Sequence, residues 1–275
     1  IGYLGGILAL GIVYPILGNA ELPRQVNAFR ISIWVTCLVY AVFCIPSFIM
    51  LKTKNDEDPS REKLYAAYGS SGKRVLKTII EWRKNKELFK ALVSYYLAND
   101  GLATLVYFTS IYAAATLGFG SKQILFLFLI VQVVGVPASI VGGLLADRLG
   151  HKKVLFSVLF IWVFLCAGFA LCESAPQFYM LSIGTGLVIG TTPAVYRSLI
   201  SEFMPAEKVA ELYGFNSFAS RASSVVGPLL FGAIATLTGN QRPAMLSLLA
   251  FFILAGLILK TVNCSPILIE KNFKD

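Results

Sequence analysis

Polar side chains with a shared helical spacing interrupt one apolar run. Between residues 91 and 117 the chain carries Tyr96, Asn99, Asp100, Thr104 and Tyr107 among stretches of Leu, Ala, Val and Phe. Tyr96, Asp100, Thr104 and Tyr107 recur at i, i+4, i+8 and i+11, which places them on one face of a helix. A carboxylate buried in hydrocarbon costs about 3 kcal/mol or more unless it is paired, protonated or wet. Asp100 is therefore a candidate proton carrier, and the competing reading is a structural Asp hydrogen-bonded to an adjacent helix. Arg221 is the second buried charge, with Ser217 and Ser224 on its face. A guanidinium there could receive a carboxylate substrate or pair with an acidic side chain. Snorkelling or a fixed structural ion pair is the alternative. Arg197 lies nearer a helix end, where snorkelling leads.

Other chemistries fail on counting. His151 is the only histidine, so neither a His-based triad nor a His ligand set can be assembled. The five cysteines, Cys37, Cys44, Cys166, Cys172 and Cys264, contain no CxxC pair, and four lie in apolar runs, which supports neither a disulfide framework nor a zinc site. No paired carboxylates, nucleophile elbow or cofactor-binding motif appears. The expectation is a protein that is not an enzyme, with no cofactor and no metal.

The elements that must position these residues follow from composition. Of 275 residues, 56% are hydrophobic and 14% charged, against roughly 25% charged in soluble domains. Mean hydropathy is +0.71. Disorder and ordinary soluble domains are excluded. Segments 1–18, 31–51, 91–117, 122–145, 154–172, 177–200, 213–237 and 243–262 read as eight bilayer-spanning helices. No strand-period alternation supports a barrel. The fold class is an all-α polytopic membrane bundle. Ile1 opens inside an apolar run with no charged segment before it, so the sequence reads as met in mid-helix rather than as a secretion signal.

The net charge of +9 is topological rather than a sign of nucleic-acid binding, because the basic residues sit between apolar runs. With the 52–87 loop in the cytoplasm, the inner pieces 52–87, 146–153, 201–212 and the tail from Lys260 hold 17 Lys and Arg, and the outer pieces hold four. That asymmetry sets the orientation. Within the loop, residues 73–86 place Val75, Leu76, Ile79, Ile80 and Trp82 among Lys and Arg, the pattern of an amphipathic helix at the membrane surface or of a solvated linker helix. The expected partition is 1–51 (two helices), 52–90 (central loop), 91–262 (six helices) and 263–275 (tail).

One motif is sharper than the rest. Gly143-Leu-Leu-Ala-Asp147-Arg148-Leu-Gly150-His151-Lys152-Lys153 joins two spans through a short basic turn. Gly143 would allow close helix contact, and Gly150 a tight turn. Asp147 would accept backbone N–H groups of a neighbouring helix N-terminus, and Arg148, Lys152 and Lys153 would sit against the anionic leaflet. Small pairs Gly2/Gly6, Ser139/Gly143 and Gly186/Gly190 would likewise bring helices together, and Pro137, Pro193 and Pro228 would kink or loosen theirs.

This motif resembles the cytoplasmic loop signature of the major facilitator superfamily, with His151 where a basic residue is usual. The resemblance implies that 91–262 is the C-terminal six-helix half, that 1–51 holds helices five and six, and that helices one to four are absent. Gly2-Tyr-Leu-Gly-Gly6, Asn99-Asp-Gly101, Arg197-Ser198 and Tyr213-Gly-Phe … Arg221 … Gly227-Pro-Leu-Leu-Phe-Gly232 together resemble the vacuolar-effluxer-like branch, which contains autophagy-related amino-acid effluxers and bacterial relatives. Pro193 and Tyr196 depart from that branch, which tends to carry Gln and Ser there.

The resemblance implies a secondary transporter for a small polar solute, amino acids among the candidates, working by alternating access with protons as a candidate coupling ion. It implies a multi-pass protein of the plasma membrane in a prokaryote or of the vacuolar membrane in a fungus. The partners expected are solute, protons and the lipid bilayer. A non-transporting receptor or sensor on the same fold is the alternative. The substrate and coupling residues expected are Asp100, Asn99, Arg221, Tyr96 and Thr104. Gly143, Asp147, Arg148, Gly150 and Lys152 form the expected conformational loop.

Overall fold

A computed structural model describes residues 2–18, 25–50, 86–203 and 224–263. The regular elements among them are all helices: α1 (Gly2–Gly18), α2 (Gln25–Met50), α3 (Lys86–Leu117), α4 (Ser121–Leu149), α5 (His151–Leu171), α6 (Ala175–Ile189), α7 (Thr191–Ser201), α8 (Val226–Thr238) and α9 (Gln241–Lys260). The expected surface helix over 73–86 lies outside the described residues up to Lys86, as does the tail beyond Asn263.

Among the described residues five stretches are long and apolar enough to cross a bilayer: Val26–Pro46, Ser121–Leu149, His151–Leu171, Ala175–Ser201 and Gln241–Lys260. Gly5–Leu17 and Val226–Thr238 are shorter apolar helices. α3 has the length, at 32 residues, but its Tyr, Asn, Asp, Ser and Thr residues dilute its hydropathy. The chain is an integral, multi-pass membrane protein. Only backbone-satisfied helices suit such a setting, because lipid offers no hydrogen bonds to an exposed peptide group.

The expected span over 177–200 is a single stretch, Ala175–Ser201, with a break in its helix at Gly190. α6 ends at Ile189 and α7 restarts at Thr191. Pro193 stands in the first turn of α7, has no N–H for the Ile189 carbonyl, and so interrupts the ladder there. Pro137, by contrast, sits inside a continuous α4. The turns are short. Gly150, at φ 93°, alone joins α4 to α5, and Gly239, at φ 63°, ends α8, both positions that disfavour a Cβ. Asn240 then caps α9 by accepting the Arg242 N–H at 2.9 Å.

α9 packs along both α3 and α5, α8 packs on α9, α5 packs on α7, and α4 lies between α6 and α1. In the span windows of α2 and α4 only 11% of residues are buried, against 50% in α5, so among the described residues most of the surface of α2 and α4 is uncovered. The core sits where α3, α5, α7 and α9 meet. Trp162 is fully buried there, stacked on Phe252 at 5.3 Å and 5°, and its Nε1–H donates to Thr192 Oγ1 at 2.9 Å. At the opposite end Tyr112, Phe119 and Phe169 gather around Phe178.

A buried polar chain crosses this core. The Ser94 and Tyr196 hydroxyls are 2.7 Å apart, and Ser94 donates to the Ala255 carbonyl at 2.8 Å, so Tyr196 donates to Ser94. Tyr196→Phe removes one bond and leaves Ser94 satisfied, a loss of about 1 kcal/mol. Ser94→Ala instead strands a buried phenol, so a larger loss of about 1–3 kcal/mol is expected. Thermal unfolding in detergent of both single variants and the double variant checks this; a Ser94→Ala protein as stable as Tyr196→Phe contradicts it.

At the Lys90 end of the bundle, cations close the C-terminus of α9. Lys90 Nζ donates to the Thr261 carbonyl at 3.1 Å, and Lys152 Nζ donates to the carbonyls of Lys260 and Val262. These orphan carbonyls carry the negative end of the helix dipole, which favours ammonium groups. Glu87 completes the clamp, accepting from Lys90 at 2.9 Å and from the Asn263 N–H at 2.6 Å. Its partial burial would raise the carboxyl, but Lys90, the Asn263 N–H and Lys152 outweigh this and hold it below the ordinary carboxylate value. The clamp's contribution to stability is therefore complete above the usual carboxylate range and is lost as pH falls through the folded value. Hydrogen-exchange protection at residues 258–263, taken against the intrinsic rate at each pH, should fall on acidification, and Glu87→Gln should show the low protection at neutral pH already.

Candidate functional site

Asp100 lies ten residues beyond Lys90 on α3, about 15 Å along the helix axis, near half the depth of a bilayer core of about 30 Å. It is 3% exposed. Its Oδ2 accepts the backbone N–H of Gly227 at 3.0 Å. Gly227 is the second residue of α8, so its N–H is one that the helix itself leaves without a partner. The carboxylate thus caps another helix and meets the positive end of its dipole. Oδ1 is buried and has no hydrogen-bond partner among the described residues.

Thr104 is fully buried one turn along and donates to the Asp100 carbonyl at 2.7 Å. α8 reaches this face only because position 227 is glycine. A Cβ there would lie 2.1 Å from Thr104 Oγ1 and 2.9 Å from Asp100 Oδ1. Gly101, beside Asp100, admits α9 in the same way, since a Cβ would lie 3.0 Å from Phe251 Cβ. The structural alternative for Asp100, a hydrogen bond to an adjacent helix, is what the geometry shows, with one oxygen left over.

The other expected members divide. Tyr96 is half-buried, with its hydroxyl enclosed and unpartnered among the described residues. Asn99 is half-buried beside Asp100. Tyr107 keeps the spacing of that face but is 64% exposed, because no described element covers its side of α3. Arg221 lies outside the described residues. Arg197 is exposed, and its Nε donates to the Pro193 carbonyl one turn back on its own helix at 2.9 Å.

The loop motif is partly corrected. Gly150 makes the turn as expected. Among the described residues Gly143 brings no helix close, since a Cβ there would meet nothing within 4 Å. The close approach is at Gly142, where a Cβ would lie 2.4 Å from the Thr191 side chain. The same holds for the Ser139/Gly143 pair, whereas Gly186 does press on α4, 2.8 Å from Val134 Cβ. Asp147 is exposed, and its one ion partner among the described residues is His151 at 3.9 Å, not a helix N-terminus. Arg148 is exposed. Lys152 caps α9, as described above. His151, through Nδ1, pairs with Glu202 just past α7.

Ser94, Tyr196, Gly142, Gly227 and Glu87 take part in this architecture without having been singled out for it. A Gly-Pro pair at a helix start, as in Gly227-Pro228, was the one usable sequence signal.

The family described as "Vacuole effluxer Atg22 like" matches residues 1–266. The chain is 29% identical over 266 residues to the protein named "Uncharacterized MFS-type transporter YxiO" of Bacillus subtilis, covering 95% of this chain and 61% of that one. It is 26% identical over 272 residues to "Autophagy-related protein 22" of Cryptococcus neoformans, covering 92% and 47%. With "Autophagy-related protein 22-1" of Aspergillus niger it shares 22% identity over 275 residues, covering 92% and 44%. The chain therefore spans about half to three-fifths of the length of these relatives.

Proposed function

The chain belongs to the vacuole effluxer Atg22-like family, and from that membership we propose that it works as part of a secondary transporter for small polar solutes. Amino acids are the class to test first. In this reading residues 91–262 supply one six-helix half, residues 1–51 the last two helices of the other, and 52–90 the cytoplasmic connection. The solute moves by alternating access between the halves. Asp100 carries the coupling proton, and Tyr96, Asn99, Thr104 and Arg221 border the path. Lys152, Gly150 and Asp147 stand at the cytoplasmic hinge.

Besides family membership, one observation supports this reading. It is the mid-depth carboxylate of Asp100, a group that is expensive in lipid and commonly tied to ion or proton movement. The test is flux by the full-length protein in liposomes. Labelled neutral and cationic amino acids are offered with and without an imposed pH gradient. Gradient-driven accumulation is expected. Solute binding with no flux under any gradient would replace this reading with that of a sensor on the same fold.

A further inference from the structure

We propose that the groove between α4 and α5 holds one acyl chain of an anionic phospholipid, with the lipid phosphate seated on Arg148 and Lys153 at its mouth. The inference is independent of the transporter reading, since none of the residues expected to handle solute or protons lines this groove.

The groove follows from how the hairpin is built. Gly150 alone links the two helices, yet α4 packs chiefly on α6 and α1, and α5 chiefly on α9. The cleft left between them has a volume of about 580 Å³, within the range of about 300–1,000 Å³ usual for ligand sites. Val141, Leu145 and Leu149 form one wall, Val154 and Ile161 the other, and Leu187 and Thr191 the floor. The lining runs about 24 Å along α4 from Leu149 to Val133, and about 10 Å along α5 from Val154 to Ile161. These lengths bracket the hydrocarbon depth of one leaflet, about 15 Å.

The lining chemistry selects a chain rather than a polar solute. Ser157 and Thr191 are the only polar side chains in it, and no charged residue lines it. Both hydroxyls are already used: Ser157 donates to the Lys153 carbonyl at 3.3 Å and Thr191 to the Ala138 carbonyl at 3.2 Å. A hydrocarbon chain needs no hydrogen bond and fits branched apolar walls by dispersion contact. Lipid tails are as apolar as Leu, however, so such packing alone gives little preference for one lipid over its neighbours. Retention therefore depends on the headgroup.

The charges at the mouth suit an anion. Arg148 falls within the arc of α4 that bears Val141 and Leu145, and Lys153 stands one turn ahead of Ser157 on α5. Both are exposed, and neither side chain has a hydrogen bond or ion pair among the described residues. The neighbouring cations are engaged elsewhere, Lys152 on the carbonyls that end α9 and His151 on Glu202. Asp147, the acid of this turn, falls outside the arc of α4 that lines the groove. A guanidinium fork matches phosphate geometry. The distribution of basic residues puts this turn on the cytoplasmic side, where anionic lipid is concentrated.

The test is native mass spectrometry of the full-length protein in detergent, titrated with phosphatidylglycerol or phosphatidylcholine of the same chains. One phosphatidylglycerol should be retained in preference to phosphatidylcholine. Arg148→Gln and Lys153→Gln should each weaken that preference about 5-fold, and together about 25-fold, from the attraction of one basic residue to anionic lipid. Ser157→Phe and Val141→Phe block the groove from opposite walls at exposed positions. Each should lower retention of both lipids with the two cations in place, and melting temperature without added lipid verifies that each blocker is folded. Glycerol phosphate, a headgroup without chains, should not compete.

Equal retention of the two lipids by the parent protein overturns the headgroup site. Retention that survives both folded blockers, or that glycerol phosphate displaces, shows a headgroup contact with no chain in the groove and overturns the proposal as well. So does a parent protein that retains no lipid, the result expected if another segment of the chain fills the groove.

Discussion

Gly227→Ala should destabilise the folded protein by about 1–3 kcal/mol, the usual result of forcing a methyl group into a filled contact. The added Cβ would sit 2.1 Å from Thr104 Oγ1 and 2.9 Å from Asp100 Oδ1. α8 must then retreat, and the bond from Gly227 to Asp100 lengthens. Space can be returned from the other side. In Gly227→Ala with Thr104→Ala, the threonine oxygen and methyl group are gone, and most of the lost stability should return. A double-mutant cycle by thermal unfolding measures the coupling. Additive effects of the two changes would show that α8 does not lean on α3 at this point.

Asp100 separates two roles by the choice of replacement. Asp100→Ala leaves the Gly227 N–H buried and unpaired, which costs about 1–3 kcal/mol, and yield should fall. Asp100→Asn keeps a carbonyl oxygen for Gly227 and should fold at close to the parent's yield. It cannot exchange a proton, so pH-driven accumulation should be lost while solute exchange persists. An ion pair with Arg221 predicts the opposite. Asp100→Asn would then strand a buried cation at a cost of about 3–5 kcal/mol, and adding Arg221→Gln would recover the protein. Yield, melting temperature and flux of the three variants decide between them. A stable Asp100→Asn protein with unchanged pH dependence would remove Asp100 from coupling altogether.

The all-helical membrane fold was legible from hydropathy because lipid admits so few backbone solutions. Asp100 was legible because a carboxylate inside an apolar run is costly and therefore conspicuous. The Gly150 turn was legible for a similarly local reason, a short glycine-containing link between two apolar runs. Each of these can be read from a window of a few residues.

What only the tertiary structure decided involves partners distant in sequence or the rotation of a helix about its axis. Gly227 lies 127 residues from Asp100, and a glycine N–H carries no side-chain signal that would announce the bond. Gly142 and Gly143 differ by about 100° around α4, and only the position of Thr191 shows which of them meets a neighbour. Tyr107 keeps the spacing of a buried face, yet it is exposed because burial requires an opposing element and none of the described ones lies there. Lys152 looked like a leaflet anchor from its charge. The structure adds that it caps α9, because the fold brings unsatisfied helix carbonyls within its reach.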